Sequence, residues 1–267
     1  MRHLFFRPTM ISLAIVCLLI GNTNAADSVC GYKPEKNHQT TEVTKKKQAN
    51  TKIAVHYYRV ARHFHLHKHY EKAIKAYENS LGYNPDHSRA NNGLAWLYLT
   101  SENLEYRNLN LAVQYSEKAV SGNGSDCGTC WDTYALAKQR SFEINSAHVG
   151  FLKSMSFSGK CDTTARNNYK IFLDYYYQDR DEVRNNLLQA LKSKTNYAQL
   201  YKKGKEVLQN PDETLLAMDY LTVALLAAPD NYSTRPDAHM ARALGWHKMQ
   251  EKQMAIFDVN RAIHSSN

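Results

Sequence analysis

Apolar residues recur at intervals of three and four along most of the chain from residue 54 onward, in short stretches separated by polar breaks. Tyr57, Val60, Ala61 and Phe64 stand at i, i+3, i+4 and i+7, which places them on one face of a helix. A polar break follows at His67–His69. Ala73, Tyr77 and Ser80 then mark a second helical face, and Pro85 closes the unit. Two helices joined by so short a break pack antiparallel, and Ala61 and Ala73 supply the small residues such a crossing needs.

The layout repeats. Leu94, Ala95 and Tyr98 precede Ala112 and Ala119, with a longer connection ("TSENLEYRNLN") between them. Trp131, Tyr134 and Ala135 precede Ala147, Phe151 and Ser154, with Lys138 standing where an apolar packing residue is expected. Gly204, Ala217, Leu221, Ala224 and Pro229 form another unit, and Ala243, Trp246, Ala255, Val259 and Ala262 the last. Between these, residues 162–196 predict two more helices with Leu188 and Leu191 inward. The expected fold class is all-α.

Units of this kind, above all "HYEKAIKAYENSLGYNP", resemble the tetratricopeptide repeat. The resemblance implies a right-handed α-solenoid of helix-turn-helix units, each burying one face against its neighbours. It divides the chain into three units over 51–161, a degenerate helical pair over 162–196 and two units over 197–267.

The first 25 residues follow another pattern. A basic start ("MRHLFFRPTM") leads into an apolar run of about eleven residues and a small polar exit ending at Ala25, the organisation of a signal peptide. The run is shorter than the roughly 20 residues of a membrane span, so no transmembrane span is expected once the leader is cleaved. Residues 26–50 are polar, contain a lysine run and show no helical stripe, and they are expected to form a flexible arm. The expected location is outside the cytoplasm, periplasmic or secreted. Cys17 would leave with the leader, while Cys30, Cys127, Cys130 and Cys161 would remain where disulfides persist.

The formal charge is +9, and without the two arginines of the leader it is +7. The basic residues are interleaved with acids, so no nucleic-acid partner is implied. No Gly-rich phosphate loop, G-x-S-x-G or H-E-x-x-H motif occurs, and the expected protein is neither an enzyme nor a holder of a cofactor.

The resemblance also implies a concave groove lined by the first helix of each pair, suited to a protein or peptide partner. In that register Tyr58, Arg62, His65, Arg89, Asn92, Trp96 and Arg140 face the groove. Family members that grip acidic C-terminal tails carry a clamp of lysine, asparagine and arginine. The corresponding places here hold Tyr58, Arg62, Gly93, Thr129 and Thr133, so that mode is not expected. His63, His65, His67 and His69 form a dense cluster, and His63 and His67 have the i, i+4 spacing of a two-ligand metal site. A histidine-rich surface turn is the alternative reading.

"DCGTCW" at 126–131 admits three readings: structural disulfide, redox pair or half a metal site. In the implied register the start of one helix lies beside the end of its partner. A bond from Cys127 or Cys130 to Cys161 would then staple a loop of about thirty residues, worth on the order of 3 kcal/mol. The leftover cysteine would pair with Cys30. The leading functional expectation is therefore an exported binding scaffold. A metal- or redox-responsive accessory protein that uses the histidines at 56–69 or the cysteines is the alternative.

Overall fold

Twelve α-helices, two short 3₁₀ turns and no strand make up the residues described by the computed structural model, 38–121, 124–158, 162–229 and 233–264. The helices are α1 (His38–Leu66), α2 (Tyr70–Tyr83), α3 (Ser88–Thr100), α4 (Leu109–Val120), α5 (Gly128–Arg140) and α6 (Ile144–Ser158). They continue with α7 (Thr163–Tyr176), α8 (Asp181–Ser193), α9 (Tyr197–Val207), α10 (Thr214–Ala227), α11 (Arg235–Lys248) and α12 (Lys252–His264). Two compact units meet in sequence between Phe172 and Leu173, within α7. The expected leader, Cys30 and Cys161 lie outside the described residues. No helix among the described residues is long and apolar enough to cross a membrane.

In the first unit the helices pair as α1 with α2, α3 with α4 and α5 with α6. The small residues read as crossing positions are buried, while Tyr57, Val60, Phe64, Tyr98, Trp131 and Tyr134 on the same faces are half-buried. Ala61, Ala73, Leu94, Ala95, Ala112, Ala135, Ala147 and Phe151 have no exposed surface. Ser80 is equally buried and donates its hydroxyl to the Ala54 carbonyl at 2.7 Å, so a polar residue at a crossing is satisfied across the pair. Lys138, also buried, is held by Glu117 of α4 at 2.7 Å and by Glu143 at 2.8 Å. Burial works against its charge, but the two carboxylates outweigh it and keep its pKa above the ordinary lysine range.

Three hairpins turn in the same way. Lys68, Phe142 and Gln250 each sit two residues past a helix end with φ of 60°, 63° and 62°. In each, the following amide closes a six-residue ring back to the helix: His69 to the Phe64 carbonyl, Glu143 to Lys138 and Glu251 to Trp246, all at 2.9 Å. This is the Schellman termination, which normally has glycine at the left-handed residue. The longer connections α3–α4 and α9–α10 each contain a 3₁₀ turn instead, capped by the side chains of Asn103 and Asn210.

A second regularity links successive first helices. Arg140, the last residue of α5, donates to the Leu99 carbonyl near the end of α3. Lys248, the last residue of α11, donates to the Leu208 carbonyl just after α9 at 2.5 Å. In both cases a cation meets the open carbonyls at a helix C-terminus, where the helix dipole favours it.

The second unit is built around α10, of which every residue but Leu215 is buried. A helix apolar on all sides has neighbours on all sides, and α8, α9 and α11 pack against it. On α8 the buried residues are Leu187, Ala190 and Leu191, so Leu187 takes the place expected of Leu188. Of the tyrosine run, Tyr175 is exposed, while buried Tyr177 donates to Asp219 Oδ2 at 2.6 Å. In the α11–α12 hairpin, fully buried Asp258 accepts both arms of the Arg242 fork at 2.7 Å and Trp246 Nε1 at 3.0 Å, with His239 Nδ1 2.9 Å away. Burial alone would raise the Asp258 carboxyl, but Arg242 and His239 reverse this and hold it below the usual range.

One boundary differs from the sequence reading. The polar stretch 26–50 was expected as an arm, yet α1 begins at His38, within it. Thr44–Ala49 are exposed throughout, so this part of the helix carries no apolar stripe.

Two substitutions test this description. Phe142 is 88% exposed and left-handed, so Phe142→Gly removes backbone strain of about 1 kcal/mol and costs somewhat less in chain entropy. The urea midpoint is expected to rise slightly with an unchanged slope. Asp258→Ala leaves Arg242 buried without its carboxylate, and the same titration should show a loss of about 3–5 kcal/mol.

Candidate binding cleft

The α1–α2 turn and the start of α3 bring two first helices side by side over α2. Their facing surfaces enclose a cleft of about 390 Å³. Six residues assigned to the groove from sequence line it: Tyr58, Arg62 and His65 on α1, and Arg89, Asn92 and Trp96 on α3. A second depression of about 320 Å³ shares Tyr58 and Arg89 with it, so the surface continues past this pair toward Asp86 and His87.

The cleft floor is aromatic. Tyr77 of α2 is buried, and its ring lies 6.3 Å from Tyr58 and 6.1 Å from His65 between centroids. A Cβ at Gly93 would fall 2.4 Å from Tyr77 Cε1, so the ring occupies the space a side chain there would need. Tyr77 Oη and His65 Nδ1 lie 3.3 Å apart. Burial pushes the Tyr77 phenol up, and nearby Tyr58 adds to this, while burial lowers the His65 pKa. Both groups therefore present neutral polar atoms at neutral pH.

Charge is concentrated on the walls. Arg62 and Arg89 are exposed at the rim. Lys68 also borders the cleft and pairs with Glu102, the one acid in its lining, at 2.7 Å. The guanidinium groups thus stand without a carboxylate of the cleft's own to neutralise them. Asn92 Oδ1 is buried and has no hydrogen-bond partner within the chain, a free acceptor beside the arginines.

The seventh expected residue, Arg140, does not line this cleft; it is engaged with the end of α3, as described above. Asp132, two turns earlier on α5, is buried beneath α7, where Asn168 Nδ2 donates to it at 2.8 Å. Desolvation raises its pKa to about 6. Nothing in the local pattern announced this, because Asn168 is far along the chain.

The histidines of the first turn diverge. The His63 and His67 rings lie 4.3 Å apart, tilted by 40°, and His67 Nδ1 lies 2.8 Å from the His63 carbonyl. His65 faces Tyr77, and His69 meets the edge of Phe64 at 6.3 Å. Among the described residues no three His, Cys, Asp or Glu side chains gather as ligands for a metal ion.

The cysteine expectation requires correction. Cys127 is bonded to Cys130, with Cα atoms 5.2 Å apart, so neither closes a staple to Cys161. Cys127 is the N-cap of α5 and Cys130 sits one turn in. Helical side chains tilt toward the N-terminus, so Cys130 points back at the cap residue. The helix ends do adjoin as expected: a Cβ at Gly128 would meet the Ser158 hydroxyl at 2.2 Å.

No family model matches this chain, and no curated protein and no solved structure matches it either.

The Asp132 environment gives a pH prediction. Its folded pKa is raised above the ordinary 3.8 to about 6, so the folded state binds the proton more tightly. The stability it contributes is complete below pH ~4 and is lost as the pH rises through about 6. Asp132→Asn removes this dependence. The variant should gain on the parent by about 3 kcal/mol between pH 4 and 6 and hold that margin above, measured by urea denaturation across pH.

Proposed function

We propose that this chain is an exported scaffold that binds an extended peptide segment of a partner protein in the α1–α3 cleft, a site that binds without performing chemistry. In this reading its hairpins are units of tetratricopeptide type, stacked with a right-handed turn. The single observation that supports it most is the convergence of Tyr58, Arg62, His65, Arg89, Asn92 and Trp96 on one cleft. These residues were chosen by register alone.

The chemistry of the walls narrows the ligand. Two exposed guanidinium groups, a buried free acceptor at Asn92 and an aromatic floor suit a peptide with a carboxylate side chain next to a ring or aliphatic group. Export is supported by the composition of the first 25 residues and by a disulfide, which persists in oxidising compartments.

A panel of fluorescent nine- or ten-residue peptides, with and without Asp or Glu beside an aromatic residue, tests the reading by fluorescence polarisation (lengths of about this size span the cleft). Acidic-aromatic peptides should bind best and weaken as salt is added. Arg62→Glu and Trp96→Ala should each reduce that affinity about tenfold or more. Equal binding by both variants and the parent would remove the cleft as the site.

A further inference from the structure

We propose that Cys127–Cys130 is a reversible thiol–disulfide exchange site that oxidises a dithiol of a protein substrate. This inference does not depend on the cleft. It rests on how the two sulfurs are placed and on what the bond does for the fold.

The pair is asymmetric. Cys130 has no exposed surface, whereas Cys127 is only partly buried and is flanked by exposed Asp126 and Thr129. An incoming thiolate therefore has access to one sulfur only. Cys127 Sγ also accepts the Cys130 amide at 3.3 Å, at the N-terminal end of α5, an amide it shares with the Cys127 carbonyl at 3.0 Å. Amides and a helix N-terminus aimed at a sulfur stabilise its thiolate, the form in which Cys127 leaves the mixed disulfide.

The bond adds little that the fold lacks. It spans a sequence separation of three residues, so it restricts the unfolded chain far less than a long staple would. The start of α5 is held by other contacts: Gly128 lies against Ser158, and Trp131 Nε1 donates to the Ser125 carbonyl at 2.9 Å. Opening the disulfide leaves both in place.

The exchange balances without a further reactant. One thiolate of the substrate dithiol attacks Cys127 Sγ, the Cys127–Cys130 bond breaks, and its electron pair leaves on Cys130, which takes a proton. The second substrate thiolate then attacks the substrate sulfur of the mixed disulfide and releases Cys127. The substrate loses two electrons and two protons and becomes a disulfide, and the cysteine pair gains them as two thiols.

The test uses the full chain in glutathione buffers of graded ratio, with free thiols alkylated by a mass tag and the 127–130 peptide read by mass spectrometry. The pair should interconvert with the glutathione ratio while far-UV circular dichroism stays unchanged. Cys130→Ser should collect a glutathione adduct on Cys127, and Cys127→Ser should leave Cys130 unlabelled until urea is added. A reduced two-cysteine peptide should gain a disulfide when mixed with the oxidised protein. A bond that stays closed in excess reduced glutathione until the protein unfolds would overturn the proposal, as would loss of helix on reduction. The parent-protein titration decides the matter even if a cysteine variant fails to fold.

Discussion

Two helices can touch closely only where at least one of them carries a small side chain, and the hairpins α1–α2, α5–α6 and α9–α10 depend on such a place. Ala61 and Ala73 serve α1 and α2, and Ala135 with Ala147 and Gly150 serve α5 and α6. The tolerance is small: a Cβ at Gly150 would lie 2.9 Å from Tyr134 Cδ1, and one at Gly204 would lie 2.8 Å from Leu221 Cγ. Overfilling contacts of this kind typically costs 1–3 kcal/mol. Gly93 obeys the same constraint, but there the incoming group is the Tyr77 ring. The small residue that lets the ring in makes that ring part of the cleft's lining.

Much of this was legible because it is local. Crossing alanines, polar breaks and helix faces follow from three- and four-residue spacing, and the crossing alanines are buried. Six residues that the tetratricopeptide resemblance implied for a groove line the cleft between α1 and α3, and that assignment came from the resemblance rather than from spacing. Arg140 was misjudged because the register describes a helix face and not its end. As the last residue of α5, it lies within reach of the open carbonyls of α3.

What sequence periodicity missed depends on partners far along the chain. Lys138 looked like a defect until Glu117 of α4 stood beside it. Asp132 and Asp258 interrupt apolar stripes and gave no sign of Asn168 or Arg242. The beginning of α1 was hidden for the opposite reason, because an exposed stretch of helix leaves no apolar stripe. The cysteine pairing failed on a finer point. The comparison of helix ends was sound, but one turn of helix with a cysteine N-cap already brings two sulfurs together.

The two kinds of connection divide the chain's tolerance for change in length. In the tight turns at Lys68, Phe142 and Gln250, a six-residue ring of hydrogen bonds fixes the residue count. One added residue would break the ring and rotate the next helix away from its alanine contact. The connections through Glu102–Arg107 and Gln209–Glu213 carry short 3₁₀ turns with no such closure. Extra sequence, such as a tag or a divergent loop, can be taken up there without disturbing how either hairpin closes.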